Sequence, residues 1–359
     1  MNHTQLLHRT TAFFLAVLSL TAALTGCSGK TSDVGQLNVA LQTTAQGVPA
    51  YIAEVEGIDA QAGLTVSSTV FASGPAQNEA LGANEWDVAT MGAPPAIMAN
   101  LAYDARILAL VLMEASTEFF VRPGSEIAQV SGAVPGYPQI LGDADTWRGK
   151  TVLCPVATTS HFILLTLLEM LGLTEADINI INMDVGQAYT AFKAGQGDVV
   201  TLWDPVSFSA EDEGWVRAAY GPDIPAYTPC VLVASQKAID EKPEQVKAWL
   251  KTYFDVVGQL SGDSAYFAGH AYDLLNDNNV TITQEESLLF IQRKKFFTLE
   301  EAAALFQGES GSTQADQYLN AIADFFVGQG HISQEDREEL LADSIFYPMF
   351  LEELAGEAG

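Results

Sequence analysis

Positive charge is scarce in this chain. Sixteen Lys and Arg stand against 45 Asp and Glu, a formal net charge of −29 over 359 residues. So acidic a surface repels nucleic acid and anionic lipid, and nucleic-acid binding is excluded as a function. An anionic small ligand is not excluded, because the local field of a cleft can oppose the net charge. Cysteine is also scarce. Apart from Cys27 there are only Cys154 and Cys230, each in an apolar strand-like run (Thr151-Val-Leu-Cys154 and Cys230-Val-Leu-Val233). They are two buried thiols or one disulfide; sequence does not give the geometry. There is no Cys-x-x-Cys and no His-x-x-x-His, and the five histidines are dispersed. No zinc or redox site, and no cofactor, is therefore expected. Beyond the N-terminus no run is long and apolar enough to span a bilayer.

What is present begins with that N-terminus. Arg9 is a weakly basic start, and Thr11 to Ala23 is an apolar run too short for a stable transmembrane helix. Leu24-Thr25-Gly26-Cys27 follows directly. It resembles the bacterial lipoprotein cleavage box, which implies that residues 1–26 are a signal peptide and that Cys27 carries the lipid. Residues 27–35 then read as a tether. Loss of Arg9 takes the charge from −29 to −30, and His3 and His8 leave with the leader. The expected location is extracytoplasmic: lipid-anchored to the outer face of the cytoplasmic membrane, or periplasmic.

The composition, 48% hydrophobic and 17% charged, is globular. About 330 residues after the leader exceed one ordinary core, so two domains are expected. Gln36 to Gln42, Leu64 to Phe71, Trp86 to Thr90 and Ile107 to Met113 read as strands. Helices starting at Pro49, Gly74 and Ala96 separate them. This βαβαβαβ order predicts a largely parallel sheet with helices on both faces. After a Gly/Pro-rich stretch (Gly124 to Gly142) a second series follows. Its strands are Thr151 to Pro155, Asn179 to Met183 and Asp198 to Trp203, and its helices His161 to Leu171 and Gln187 to Ala194. Val231 to Ala234 is a further strand. The rest reads as helices, from Pro243 to Leu341. Capping-box spacing occurs at Thr283/Glu286 and at Ser333/Asp336.

Three tight strand-to-helix turns stand out: Thr43 to Pro49, Met91 to Pro95 and Ala157 to His161. In open parallel sheets such turns lie at the carboxyl ends of the strands, where ligands bind. Each presents unpaired backbone N–H groups at a helix start, which suit an anion without any Lys or Arg. Thr158, Thr159 and Ser160 add hydroxyls, and His161 an N–H; plain N-capping accounts for the same residues. Trp203-Asp204-Pro205 ends a strand. It is either an aromatic face beside a carboxylate for an apolar or cationic ligand group, or a core Trp and a turn Asp. Asp184 could face the cleft or be an exposed turn acid. Glu114 and Glu118 flank the crossover and read as surface rather than as ligand acceptors.

Leu37 to Gly57, Phe71-Ala-Ser-Gly74-Pro75 and Trp86-Asp-Val-Ala-Thr-Met-Gly92-Ala-Pro-Pro95 resemble substrate-binding proteins of ABC importers, of the aliphatic-sulfonate, taurine and nitrate group. Trp147-Arg-Gly-Lys150 with Thr158-Thr-Ser-His161-Phe-Ile-Leu-Leu165, and Ala191 through Asp198 to Pro205, resemble the second lobe of that family, which is also related to binders of thiamine-pyrimidine precursors. The resemblance covers most of Leu37 to Leu260. It implies an α/β type II periplasmic-binding-protein fold: two doubly wound lobes, two hinge crossovers (near 115–121 and 226–231) and a helical C-terminal tail. Lobe I is expected at 36–117 plus 230–359 and lobe II at 118–229. The lobes would close on a small-molecule ligand and deliver it to permease subunits with a cytoplasmic ATPase, the binding protein being a monomer. The expected ligand residues are Gln42, Thr43, Thr44, Ser73, Gly92, Ala93, Thr158, Thr159, Ser160, His161, Asp184, Trp203 and Asp204. Ala93 departs from the polar residue many sulfonate binders carry there.

Three functions compete. The first is a binder feeding an importer, with a sulfonate such as taurine as ligand, its amine on Asp204, and a pyrimidine precursor or aromatic carboxylate as alternatives (Trp203, Phe71 and Tyr227 could stack on a ring). The second is an enzyme like thiamine-pyrimidine synthase, which depends on a cysteine-rich iron site that this chain lacks. A Ser160–His161 hydrolase fares no better: adjacent residues on a helix start do not face each other, and no Gly-x-Ser-x-Gly elbow occurs. No catalytic residue is therefore expected. The third is a ligand sensor without a transporter.

Overall fold

The computed structural model describes residues 35–113, 116–226, 228–260, 262–309, 311–342 and 345–358. The leader, Cys27, nearly all of the tether, Glu114, Ala115 and Tyr227 lie outside the described residues. Among the described residues, no helix is long and apolar enough to cross a membrane.

Among the described residues, ten strands form two five-stranded sheets. The first contains β1 (Gly35–Gln42), β2 (Leu64–Phe71), β3 (Val88–Gly92) and β4 (Ala105–Met113). The second contains β5 (Glu118–Val121), β6 (Thr151–Cys154), β7 (Asn179–Asn182), β8 (Val199–Leu202) and β9 (Val216–Tyr220), after which β10 (Pro229–Ser235) returns to the first. The orders are β2-β1-β3-β10-β4 and β7-β6-β8-β5-β9.

The doubly wound, two-lobed expectation holds, with one refinement. β10 runs antiparallel between β3 and β4, and β5 antiparallel between β8 and β9. Each is the strand that follows a crossover, so each lobe is completed by a strand entering from the other side. All other pairings are parallel. β5 and β9 were not expected as strands. Glu118, read as surface, is instead buried in β5, where Arg217 donates to its Oε2 at 2.9 Å. Burial raises its carboxyl above the ordinary range, and Arg217 opposes that shift.

β4 is buried along nearly its whole length although it ends the sheet order. The C-terminal segment covers its free edge: Ile107 N–H donates to Ile345 O at 2.8 Å, and Tyr347 and Phe297 N–H donate to Ile107 O and Val111 O, each at 2.8 Å. An exposed strand edge would otherwise invite pairing with another chain. The tail is thus hydrogen-bonded to the first sheet rather than an appendage. One large apolar core runs through both sheets; a smaller one under the second sheet includes Phe120, Leu153, Phe192 and Leu202. The two capping boxes form as expected. Thr283 and Glu286 cap the helix Gln284–Gln292, which ends four residues before the expected Phe296. Ser333 and Asp336 exchange bonds of 2.6 and 3.0 Å.

Candidate ligand-binding cleft

The three strand-to-helix turns meet between the sheets. At the first, β1 passes through Thr43 and Thr44 into a short turn (Ala45–Gly47) and the helix Val48–Val55, with Pro49 in its first turn. Gly47 is required here, since a Cβ would lie 2.5 Å from Gln42 O. Tyr253, buried on the helix Pro243–Leu260, donates its hydroxyl to Gln46 O at 2.9 Å and so anchors the turn from below. At the second, β3 ends at Gly92 and Ala93–Tyr103 begins at once, prolines at its second and third positions. At the third, β6 runs through Ala157 (φ 59°) to Thr158, whose hydroxyl caps the helix Thr159–Met170 by accepting from His161 N–H at 3.4 Å.

These turns wall a cavity with about 520 Å3 of space, its mouth included. Gln42, Thr44, Gln46, Ser73, Gly74, Gly92, Pro95 and Cys230 line it from the first lobe, and Thr158, Thr159, Ser160, Trp203 and Asp204 from the second, with Thr117 on the crossover between. No Lys or Arg is among them. Thr117 Oγ1 and Ser160 Oγ share a hydrogen bond of 2.9 Å across the crossover. Gln42 donates to Gln77, which is itself pinned to Ala40 O and Thr90 O at 3.1 and 3.2 Å. The hydroxyl of Thr44 and Oε1 of Gln46 are buried with no hydrogen-bond partner. Buried polar atoms normally have one, so these two mark where a ligand or water would bond.

Most of the expected residues converge here, but four do not. Ala93 is fully buried behind the turn, and Pro95 takes its place on the wall. Thr43 and Asp184 line a neighbouring, wider cavity of about 1020 Å3, with Phe71 and Gln187; it shares Trp203 with the first. His161 points the other way. Successive helix residues lie about 100° apart, so with Thr159 and Ser160 on the cavity, His161 turns inward. Its ring is 1% exposed, its Nε2 lies 3.7 Å from Glu175 Oε1, and its Nδ1 accepts from Ala157 N–H at 3.3 Å. Burial lowers its pKa to about 4, with Glu175 opposing. Its Nε2 faces Glu175 and its Nδ1 the Ala157 N–H, so it offers no N–H to a ligand in the cavity.

Asp204 lines the cavity but is not a free acceptor for an amine. Ser207 donates to it at 2.9 Å. Arg293 and Lys294, just beyond the helix Gln284–Gln292, each approach it to 3.4 Å. Its side chain is fully buried and that of Lys294 only 3% exposed, so the tail already supplies the charge partner. Sequence reasoning missed Gln46, Gly74, Pro95, Thr117 and Cys230. Gln46 sat inside a turn already singled out, whereas the pairing of Arg293 and Lys294 with Asp204 has no local signal. Cys154 and Cys230 are both buried thiols with no disulfide between them, which settles the thiol-or-disulfide alternative. Burial pushes the Cys154 thiol up to about 12.

A family model described as NMT1-like matches residues 30–266, more than half of the chain. The chain belongs to the NMT1-like family. A Brachyspira hyodysenteriae protein described as an ABC transporter periplasmic binding protein is 30% identical over 89% of this chain and 92% of its own length. The taurine-binding periplasmic protein of Escherichia coli is 24% identical over 61% of this chain and 64% of its own. Among solved structures, the alkanesulfonate-binding protein of Xanthomonas axonopodis pv. citri bound to MOPS superposes with a TM-score of 0.68, at 18% identity, covering 87% of this chain and 98% of that one. The nitrate-binding protein of Synechocystis gives 0.68 at 13% identity, with 90% and 88% covered. The fold is that of the periplasmic binding proteins.

Proposed function

We propose that this chain is the extracytoplasmic solute-binding lipoprotein of an ABC importer, a monomer anchored through Cys27, with no catalytic role. It captures a small anionic or zwitterionic organic solute, foremost a sulfonate such as taurine, by hinged closure of lobes 36–117 plus 230–359 and 118–229. It then presents the solute to permease subunits driven by a cytoplasmic ATPase. One observation carries the reading. Helix starts from both lobes face a single cavity with hydroxyls and no lysine or arginine on its wall. Helix N-termini stabilise an anion through oriented N–H groups. The names of the relatives, which include taurine and aliphatic-sulfonate binders, support the same class. Calorimetric titration with taurine, longer alkanesulfonates, nitrate and pyrimidine compounds tests it. A micromolar or tighter sulfonate supports the ligand; silence from every sulfonate removes the ligand and leaves the class standing.

A second reading rests on the unpartnered Gln46 Oε1, which lines the same cavity as Trp203. An acceptor and an aromatic side chain in one cavity suit a flat ring bearing N–H groups, such as a thiamine-pyrimidine precursor. Heat from a pyrimidine and none from sulfonates selects this reading.

A further inference from the structure

Away from the cavity, three ligating side chains converge where the second lobe meets the C-terminal helices. His161 comes from the first turn of Thr159–Met170, Glu175 from the short turn Glu175–Asp177 and His331 from just after Gln314–Gln329. Gly330 (φ 77°) ends that last helix, and His331 N–H returns to Phe326 O at 2.9 Å. This left-handed close aims the His331 ring at the second lobe. His331 Nε2 lies 2.8 Å from Glu175 Oε2. The two imidazoles meet edge to face, centroids 5.0 Å apart. One ligating atom of each residue lies within 4.8 Å of the other two. Phe162 packs on Phe325 and Phe326 beside them, so apolar contact holds the two elements in place independently of the cluster.

His161 Nε2 is the unexplained atom. It is buried, faces Glu175 and His331, and has no hydrogen-bond partner. A simple hydrogen-bonded relay would bring it within about 3.2 Å of the carboxylate; at 3.7 Å it falls short. We propose that His161, Glu175 and His331 bind one divalent transition-metal ion of the zinc class, which fastens the C-terminal helices to the second lobe.

Two imidazoles and a carboxylate with a fourth position open are a donor set for such ions. Tetrahedral bonds of about 2.0–2.1 Å set ligand atoms roughly 3.3–3.4 Å apart, so the His161–Glu175 pair needs only a small shift. The His331–Glu175 hydrogen bond is exchanged for two metal bonds. Coordination through Nε2 moves the His161 ring proton to Nδ1 and gives up the long contact from Ala157 N–H. Ala157 precedes Thr158 on the cavity wall, so metal occupancy is linked to the ligand turn, and linkage of this kind is reciprocal.

The test uses the full chain stripped with a chelator. Zn2+ is then titrated against a chromogenic competitor at about 150 mM salt, which screens the acidic surface. The expected result is one ion per chain, with affinity falling at least about 100-fold in both His331→Ala and Glu175→Gln and holding in His270→Ala, a control His–Glu pair with Glu56. His331 and Glu175 are partly exposed, and thermal melts of the two variants check that they fold. Long-range 1H–15N spectra should show His161 change from the Nε2–H to the Nδ1–H form on adding zinc. Absence of stoichiometric binding, equal affinity in all three variants, or an unchanged His161 tautomer overturns the proposal. None of these outcomes depends on the identity of the transported solute.

Discussion

Gly92→Ala probes the cavity wall that Gly92 and Thr159 share. A Cβ built on Gly92 would lie 2.5 Å from Thr159 Oγ1 in the opposite lobe, whereas ordinary contact begins at 3.4 Å. The backbone itself tolerates alanine, since Gly92 has φ −78°. The cost therefore falls on closure and not on folding. An intrusion of about 0.9 Å by one methyl group resembles overpacking, worth about 1–3 kcal/mol, or a loss of roughly 5- to 150-fold in solute affinity. The melting temperature of the ligand-free protein should stay nearly unchanged. Thr159→Ala removes the obstructing oxygen, so in that background Gly92→Ala should cost less than about 0.5 kcal/mol, a coupling that a double-mutant cycle isolates. Calorimetry with the tightest sulfonate found gives all four affinities. Undiminished binding by Gly92→Ala, or equal losses in the two backgrounds, refutes the idea that these residues meet in the bound state.

Asp59 is buried with neither carboxylate oxygen hydrogen-bonded, and burial, then Glu54, raise its pKa from 3.8 to about 7. Because the folded value lies above the unfolded one, its contribution is intact below about pH 4 and is lost as pH rises to about 7. At 1.36 kcal/mol per unit the loss is at most about 4 kcal/mol. Asp59→Asn should therefore raise the melting temperature at pH 8 and change it little at pH 4; an equal effect at both would contradict this. Asp204→Asn should destabilise the ligand-free protein by about 3 kcal/mol in denaturant titration, by removing the buried carboxylate that Arg293 and Lys294 approach; a loss confined to amine-bearing ligands would restore the direct ligand role. Cys154, buried and with its pKa raised to about 12, should resist thiol reagents at pH 8 in the native state and react on unfolding.

The parts of the fold that local pattern encodes were legible. The alternation of Leu64–Phe71, the Pro49 helix start and the Thr283/Glu286 box each follow from neighbours within a few residues, whereas the helix expected from Ala96 begins at Ala93. β5 and β9 were not. Glu118-Phe-Phe-Val121 is four residues long with a charge at its head, and Val216-Arg-Ala-Ala-Tyr220 has a single β-branched residue; both are strands because the second sheet supplies their partners. The same division holds at the site. Thr158, Thr159 and Ser160 were visible as a polar helix start, but which of two adjacent residues faces the cavity depends on helix phase, and His161 fell on the far side. The partners of Asp204 lie 89 and 90 residues away, and His331 lies 156 residues from Glu175. Long-range pairs of this kind leave no mark in spacing.

The most direct test of the cleft is a crystal structure of the protein grown with the tightest sulfonate of the panel. The account predicts the anion between the lobes, its oxygens within about 3.2 Å of main-chain N–H groups at the starts of Val48–Val55, Ala93–Tyr103 or Thr159–Met170. A sulfonate held instead by lysine or arginine side chains, or lodged outside the space between Gly92 and Ser160, would contradict it.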